Sequence, residues 1–271
     1  MKVLISVDFE GISGVVSGDE TGASGTDYGR ARRWMTQDTN AAVEGALKGG
    51  ASEVVVRDAH CQHSILYEEL HPKAHLIRGG PGPLFTLDGL DESFDAVMFV
   101  GYHARSGDAD GVLSHTYTGS LFDVNINGEP ASEARIGAAL AGHFGVPPIL
   151  VTGDDVICRE VEGWSKGTEV VVVKEALDRG GANCLPMEEA RVRIEVGATR
   201  AMGRIRDIPP YLFSAPIHLV VTCTNPGIAA RIAYIPSVER EDGRTVSYTA
   251  SDFLEIHRAF VAMVFLASTV R

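Results

Sequence analysis

The amino-acid sequence predicts an α/β fold, with a mostly parallel sheet flanked by helices and a second, smaller α+β portion. Short apolar segments rich in branched residues alternate along the chain with longer segments of helical periodicity. The first two apolar segments enclose a helix, and in such a strand–helix–strand unit the two strands lie parallel. The composition, 45% hydrophobic and 22% charged, is that of an ordinary globular protein.

Five strands are predicted before residue 175, each a compact apolar run as expected for a strand covered on both faces. They cover residues 2–7, 53–57, 95–100, 148–152 and 169–173. Helices are predicted over residues 30–48, 133–144 and 156–162. Ser132 is a suitable N-cap for the second helix, and Gly49 and Gly145 end the first two. The glycine-rich residues 11–29 predict a loop.

The C-terminal part of the chain predicts the smaller α+β portion. A helix is expected over residues 186–202, strands over 218–222 and 244–249, and a final helix after Ser251 as N-cap. We therefore expect an α/β domain over residues 1–165. A smaller α+β domain over residues 166–271 would complete the cleft and supply oligomer contacts.

Charge and hydropathy exclude several classes of function. Acidic residues outnumber basic ones by 36 to 24, and the net charge of −12 would repel nucleic-acid phosphates. The longest apolar run has eight residues (260–267), whereas a membrane-spanning helix needs about 20. No secretory signal pattern is present, so we expect a cytoplasmic protein.

The cysteines are widely spaced and are expected to be reduced thiols; they are Cys61, Cys158, Cys184 and Cys223.

Three predicted strands are followed by acidic residues or histidines. Asp8 and Glu10 follow the first strand, Asp58-Ala-His60 the second and Gly101-Tyr-His-Ala-Arg105 the third. Ligands of open parallel sheets bind beyond the carboxyl ends of the strands, so these side chains should share one edge. Asp8 and Glu10 are two residues apart in an extended segment, so their carboxylates should face the same way. Carboxylates and imidazoles together suit zinc or a similar divalent metal.

Each of these residues, taken alone, could instead cap a helix, pair with an arginine or lie on the surface. Their recurrence at one level of neighbouring strands favours a metal site that includes His103. His60 is preferred over His63 as the ligand after the second strand. Cys61 is a poor partner for a Cys-His nucleophile, because adjacent residues of an extended segment point to opposite faces.

Three further candidates have open roles. Glu133, in the first turn of the helix capped by Ser132, could bind the metal or simply complement the helix dipole. His115 could be a ligand, a general acid or base, or a loop histidine bonded to backbone. Asp154-Asp155 could coordinate metal, orient ligating histidines or cap the following helix.

Phosphate-loop and dinucleotide-binding glycine patterns are absent from the sequence, so the sequence gives no support for nucleotide binding.

Taken together, the motifs resemble those of the DppA-type zinc D-aminopeptidases, and the likeness runs nearly end to end. The segments that carry it are 6–14, 58–60, 101–105, 114–115, the helix of Glu133, 153–155, 224–227, 235–240 and the start of the last helix at 251–255. The resemblance implies a metallopeptidase with two zinc ions per subunit that releases N-terminal D-amino acids from short peptides such as D-Ala-D-Ala. It also implies a ring-shaped homo-oligomer, a decamer, whose active sites face an internal cavity.

The resemblance also implies a role for each site residue. Asp8 matches the carboxylate that bridges both metals, and Glu10 matches a ligand of the first zinc. The ligands of the second zinc match His60, His103 and Glu133. His115 matches the residue assigned the catalytic role.

Other hypotheses stay open from the sequence. The same site could serve an aminopeptidase that acts on L- or other short peptides. A metal-dependent 3′-5′ exonuclease is a second possibility, because Asp8 and Glu10 resemble its opening Asp-x-Glu and residues 103–108 resemble its His-x4-Asp element. The net acidity opposes that hypothesis. A noncatalytic metal-binding protein is the third.

Overall fold

The computed structural model describes residues 1–60 and 63–270, and these residues form two β-sheets with helices around them. The strands are β1 (Lys2–Val7), β2 (Glu53–Asp58), β3 (Ala74–Ile77), β4 (Ala96–Tyr102), β5 (Leu121–Ile126), β6 (Glu129–Pro130), β7 (Pro148–Asp154), β8 (Glu169–Asp178), β9 (Gly181–Cys184), β10 (Ile217–Cys223), β11 (Glu239–Arg240) and β12 (Thr245–Ala250). The α-helices are α1 (Gly18–Thr21), α2 (Tyr28–Lys48), α3 (Glu133–His143), α4 (Asp155–Trp164), α5 (Met187–Gly203), α6 (Pro226–Ile232) and α7 (Phe253–Ala267).

The larger sheet has the order β3-β2-β1-β4-β7-β8-β9. Every neighbouring pair is parallel except β8 with β9, which confirms the predicted mostly parallel sheet. The side chains of successive β1 residues pack into different hydrophobic cores, one on each face of the sheet. Val3 and Ile5 pack with α2 and α5, whereas Leu4 packs with α3 and the smaller sheet. Both faces of the sheet are therefore covered, which explains why its strands are continuous apolar runs.

The smaller sheet is antiparallel, in the order β11-β12-β10-β5-β6. Two of its strands, β5 and β6, come from the chain between β4 and α3. In contrast, β8 and β9 belong to the larger sheet, and α5 packs on that sheet. The division between the sheets therefore does not follow the predicted boundary after residue 165. The assignment of 1–165 and 166–271 to separate domains stays a prediction.

Two local predictions are wrong. The predicted glycine-rich loop contains α1, which begins in a capping box formed by Ser17 and Glu20. The last helix is capped by Asp252 and not by Ser251, because the Asp252 carboxylate accepts a hydrogen bond from the backbone N–H of Glu255 at 3.1 Å. Both errors come from polar residues whose capping role depends on the path of the backbone.

The predicted reduced state agrees with the three cysteines that the structure describes. Cys158, Cys184 and Cys223 are free, and Cys61 lies outside the described residues. Among the described residues, no helix is both long and apolar enough to cross a membrane.

The register of the central strands brings the strand ends to one level. Val7 is paired with Asp58 on one side and with Val100 on the other. The pairing continues one residue further, because the Asp8 N–H donates to the Val100 carbonyl and the Ala59 N–H donates to the Val7 carbonyl, each at 2.9 Å. The side chains that follow β1, β2 and β4 therefore meet at the carboxyl edge of the sheet, as predicted.

His257 of α7 generates a stability prediction. Its imidazole is 1% exposed, and neither ring nitrogen has a hydrogen-bond partner among the described residues. Burial, aided by Arg258, lowers the pKa of His257 to about 4 from 6.5. The unfolded chain then binds the proton more readily, so stability is full above pH 6.5 and falls as the pH decreases toward 4.

We expect His257→Leu to remove this part of the acid sensitivity. Between pH 7 and pH 5 the wild type should lose about 2 kcal/mol more unfolding free energy than the variant. Urea unfolding of metal-stripped protein at both pH values measures the difference, and exposed His75→Leu is the matched control. Equal pH dependence in the wild type and His257→Leu would contradict the assignment.

Candidate metal centre

Three carboxylates and a histidine lie buried together at the carboxyl edge of the larger sheet. Asp8, Glu10 and Glu133 are at most 6% exposed, and His103 is 1% exposed. His103 Nε2 is 3.2 Å from Asp8 Oδ2 and 3.3 Å from Glu133 Oε1. Glu133 arrives from the first turn of α3, whose N-cap is Ser132 as predicted. Two strand ends and one helix N-terminus thus converge on one point.

The hydrogen bonds of two histidines fix which ring nitrogen faces this point. His103 Nδ1 is 2.9 Å from the Ala104 carbonyl, and His115 Nδ1 is 2.8 Å from the Leu113 carbonyl. A carbonyl can only accept, so Nδ1 carries the proton in both rings. In the neutral ring Nε2 then has the free lone pair, which is the arrangement of a metal-ligating histidine with an outer hydrogen bond.

His115 lies against His103 and Glu133. The two imidazoles are stacked, with centroids 4.2 Å apart and planes 6° apart. His115 Nε2 is 3.7 Å from Glu133 Oε1, and its side chain is 22% exposed. Leu113 and Tyr117, on either side of His115, have left-handed backbone with φ of 50° and 59°. Such strain in residues other than glycine is typical of functional sites.

His60 lies beside Glu10. His60 Nε2 is 3.3 Å from Glu10 Oε1, and the Phe9 ring packs against the imidazole edge with centroids 5.3 Å apart. The contacts therefore pair His60 with Glu10, whereas the resemblance groups His60 with His103 and Glu133. Exposed His63 lies outside this group of side chains.

The cluster fits metal ions because several of its polar atoms have no other partner. Asp8 Oδ2, Glu10 Oε2 and His103 Nε2 are buried without a hydrogen bond to any described residue. Asp8 Oδ2 and His103 Nε2 approach each other to 3.2 Å without the alignment of a hydrogen bond. Within the described part of the chain, two sets of three ligand atoms are close enough to share an ion. The sets are Asp8 with Glu10 and His103, and His103 with His115 and Glu133.

The pKa shifts within the cluster show how strongly these groups interact. Burial and the neighbouring Glu10 raise the pKa of Asp8. Burial also opposes ionisation of Glu10, but His60, His115 and His103 outweigh it and hold the pKa of Glu10 well below its usual range. Burial opposes protonation of His60, yet Glu10 raises the pKa of His60 to about 9. The site thus attracts positive charge, a property that a divalent ion would satisfy.

Lys174 holds the backbone that carries Glu10. Its side chain is fully buried in β8, and Nζ donates to the carbonyls of Glu10 at 2.6 Å, Ile12 at 3.0 Å and Val15 at 2.5 Å. These bonds use all three donors of the ammonium group. Lys174 therefore fixes the turn that follows β1 and, with it, the direction of the Glu10 side chain.

A glycine lets the same turn approach the neighbouring strand. A Cβ at Gly11 would lie 1.8 Å from the Tyr102 carbonyl oxygen, so a larger residue could not occupy this position without moving the backbone. The Gly11 N–H donates to the Gly101 carbonyl at 2.7 Å. The turn is thus fixed from β4 as well as from β8.

Other predicted candidates do not join the cluster. Asp154 caps α4, with Oδ1 accepting from the Ile157 N–H at 2.9 Å, while Oδ2 accepts from the Val112 N–H at 2.8 Å. Asp155 forms an ion pair with Arg159. Asp154 therefore steadies the loop that leads to His115 and is not a ligand of this cluster.

Three other histidines and Asp58 have structural contacts. Asp58 Oδ2 accepts from the Ile65 N–H at 3.2 Å. His71 lies against Glu44, His143 against Asp252, and His218 against Thr249. None of these described residues belongs to either possible ligand set.

Sequence reasoning missed Lys174 and the aromatic wall of the site. Phe85 and Tyr117 line a cavity of about 150 Å³ together with the carboxylates and histidines. A lysine that directly follows four valines in a predicted buried strand was a signal for Lys174. No comparable signal marked Phe85, because it lies in a short segment between strands.

The fold and the cluster together define an α/β protein with a candidate metal centre at the carboxyl edge of its parallel sheet. Comparison with known proteins identifies the family. The family model described as D-aminopeptidase (peptidase family M55) matches residues 1–262. A D-aminopeptidase of Bacillus subtilis (strain 168) is 33% identical over 270 residues, covering 98% of each chain.

Among solved structures, the "Zn-dependent D-aminopeptidase DppA from Bacillus subtilis, a self-compartmentalizing protease" is similar with a TM-score of 0.95 and 31% identity. The alignment covers 99% of this chain and 98% of that one. The chain belongs to the D-aminopeptidase family, which confirms the resemblance inferred from the motifs.

Lys174 generates a prediction for this site. Lys174→Met keeps the approximate shape but leaves three buried carbonyls without their donor, so we expect about 10- to 100-fold weaker zinc binding. Competition with a chromophoric chelator measures the affinity, and circular dichroism verifies folding.

Exposed Lys166→Met is the matched control for this change. Lys174→Gln retains two N–H donors and should recover part of the zinc affinity. This variant replaces Lys174→Met in the test if the methionine variant does not fold. A folded Lys174→Met protein with wild-type zinc affinity would show that Lys174 does not position the site.

Proposed function

We propose that the protein is a two-zinc aminopeptidase that removes N-terminal residues from short peptides, with D-amino-acid peptides such as D-Ala-D-Ala as its substrates. The observation that carries the proposal is the convergence of Asp8, Glu10, His103 and Glu133 with unpartnered ligand atoms beside His115. Membership of the D-aminopeptidase family supports the reaction and the stereochemistry. The Bacillus subtilis structure is described as Zn-dependent, which supports the choice of metal.

The contacts suggest how this chain would share its ligands between two ions. Glu10 and His60 form one close pair, and His103 and Glu133 form the other. Asp8 contacts His103 and also belongs with Glu10 to a possible ligand set, so it is the candidate for the bridging carboxylate. Two ions at such a site supply Lewis acidity toward the peptide carbonyl and lower the pKa of attacking water.

His115 is the candidate for proton transfer. It lines the cavity of the cluster and also two larger cavities that open beside it. The Leu113 carbonyl holds its Nδ1, so Nε2 is the atom that can take a proton from water or deliver one to the departing amine. A partly exposed imidazole between the cluster and the open cavities is suitably located for this transfer.

The acidic cluster also suits the free amino group of a substrate. Glu10, whose carboxylate belongs to the cluster, lines both the cluster cavity and one of the open cavities. A substrate ammonium group would be attracted to that carboxylate. This attraction would favour cleavage at the N-terminus over cleavage within a chain.

The exonuclease hypothesis has less support. Asp108, the last residue of its second motif, uses Oδ1 to accept from the N–H groups of Asp110 at 3.0 Å and Gly111 at 3.2 Å. It is therefore engaged in its own turn and is not part of either possible ligand set.

A homo-oligomer is part of the proposal. The Bacillus subtilis structure is described as self-compartmentalizing, which supports assembly, and a ring-shaped decamer is the form that the sequence resemblance implies. Large exposed apolar side chains are available for subunit contacts. They include Tyr67, Phe122, Leu177, Leu212 and Tyr234, each at least 56% exposed. The cytoplasmic location stays a prediction.

Release of free alanine from D-Ala-D-Ala and from L-Ala-L-Ala tests the function. Zinc-loaded protein should release alanine from the D,D peptide with a strong preference, and a chelator should abolish the release. Release from the L,L peptide alone would contradict the stereochemistry and leave an aminopeptidase. Release from neither would favour a noncatalytic metal-binding protein.

Single substitutions separate the roles of His115 and His60. His115→Ala should retain bound zinc and lose at least about 100-fold in turnover, because in the proposed division of ligands His115 transfers a proton and the ions are held by Asp8, Glu10, His60, His103 and Glu133. His60→Ala should lower the zinc content. Metal analysis of the purified variants and initial rates measure both effects. A fully active His115→Ala enzyme would rule out the catalytic role.

A further inference from the structure

A cleft beside the metal centre has an arginine in its lining. This cleft has a volume of about 290 Å³, and Glu10, His115 and Arg179 all line it. Gly18 and Thr21 of α1 form part of its wall. An elongated ligand can therefore contact the candidate metal ligand Glu10 and Arg179 while lying against His115.

Arg179 also lines the second open cavity. That cavity, of about 340 Å³, is lined by His115, Phe122 and Arg179 among others. Both volumes are at the lower end of the roughly 300–1,000 Å³ of small-molecule sites, so they suit a short ligand. His115 and Arg179 belong to both cavities, so Arg179 lies beside the proposed proton-transfer residue along the open part of the site.

The backbone fixes Arg179 relative to His115. Arg179 lies at the tip of the hairpin between β8 and β9, and its carbonyl accepts from the Leu113 N–H at 2.9 Å. Leu113 is two residues before His115 and holds the His115 ring through its own carbonyl. The hairpin tip and the loop of His115 are thus joined through their backbones, so the backbone of Arg179 keeps a fixed position relative to His115.

The Arg179 side chain is available for an anion. It is exposed, and none of the described carboxylates forms an ion pair with it. Asp108 lines the same cavity, but its Oδ1 accepts from two N–H groups of its own turn. Apart from the histidine, Arg179 is the one cationic side chain among the described residues that line the two clefts. In a protein of net charge −12, such a cation beside the site is a distinctive feature.

We infer that Arg179 binds the C-terminal carboxylate of a short peptide substrate whose amino end lies at Glu10. The inference rests on the proposed aminopeptidase function and adds a recognition site for the other end of the substrate. A dipeptide or tripeptide spans about 7 to 11 Å when extended, so both ends of such a peptide are within reach of one cleft. Arginine is well matched to carboxylates because its planar fork donates two parallel hydrogen bonds.

The proposed site therefore selects peptides by their length as well as by their free N-terminus. A long peptide carries its C-terminal carboxylate far from the cleft and loses the contact with Arg179. A dipeptide or tripeptide with a free carboxylate keeps both ends bound. The substrate class is short peptides with both termini free.

Kinetics with a blocked peptide test the inference. The wild type and Arg179→Ala are compared on D-Ala-D-Ala and on its C-terminal amide, which lacks the negative charge. Arg179→Ala should raise KM for the free peptide about 10- to 100-fold, the range expected from loss of a charge-assisted hydrogen bond. KM for the amide should change less than about twofold, and Arg179→Lys should recover part of the loss.

Arg206→Ala is the matched control. Arg206 follows α5 at the end where Met202 packs against Gly49, the residue after α2, so it lies at the opposite edge of the sheet from the site. The Arg206→Ala substitution removes the same positive charge as Arg179→Ala and should leave both KM values unchanged.

The outcomes distinguish the two proposals. If the wild type hydrolyses both peptides and Arg179→Ala changes both KM values equally, or changes neither, the carboxylate site is overturned and the proposed function still stands. A wild type that hydrolyses neither peptide overturns the proposed function and this site with it.

Discussion

Repulsion between buried carboxylates is the constraint on which the rest of the site depends. Asp8, Glu10 and Glu133 are nearly inaccessible to solvent and lie close together, so their charges cannot be screened by water. Positive charge must therefore come from within the protein or from bound ions. His60 and His103 supply part of it, and the unpartnered oxygen atoms indicate where ions would supply the remainder.

The scaffold resists this repulsion through its backbone. The parallel register of β1, β2 and β4 fixes the level of the strand ends, and Lys174 and Gly11 hold the turn after β1 from two sides. Preorganisation of this kind holds the ligands in place without the ions, so binding requires little rearrangement. The smaller sheet and the hairpin between β8 and β9 then shape the clefts that open from the site.

The sequence predicted the parts of the structure that depend on local pattern. Asp8, Glu10, His60 and His103 could be located because strand ends of a parallel sheet share one edge. Lys174, Arg179 and Phe85 could not, because their contribution depends on how distant segments pack. The same reason explains the smaller sheet: β5 and β6 are short, and β10, the partner of β5, lies about ninety residues further along the chain.

Anomalous diffraction at the zinc edge, on crystals of the zinc-loaded protein, shows directly whether the site holds two metal ions. We expect two peaks a few ångströms apart, one beside Glu10 and His60 and the other beside His103 and Glu133, with Asp8 between them. A single peak, or zinc bound away from these side chains, would contradict the two-metal centre on which the proposed function rests.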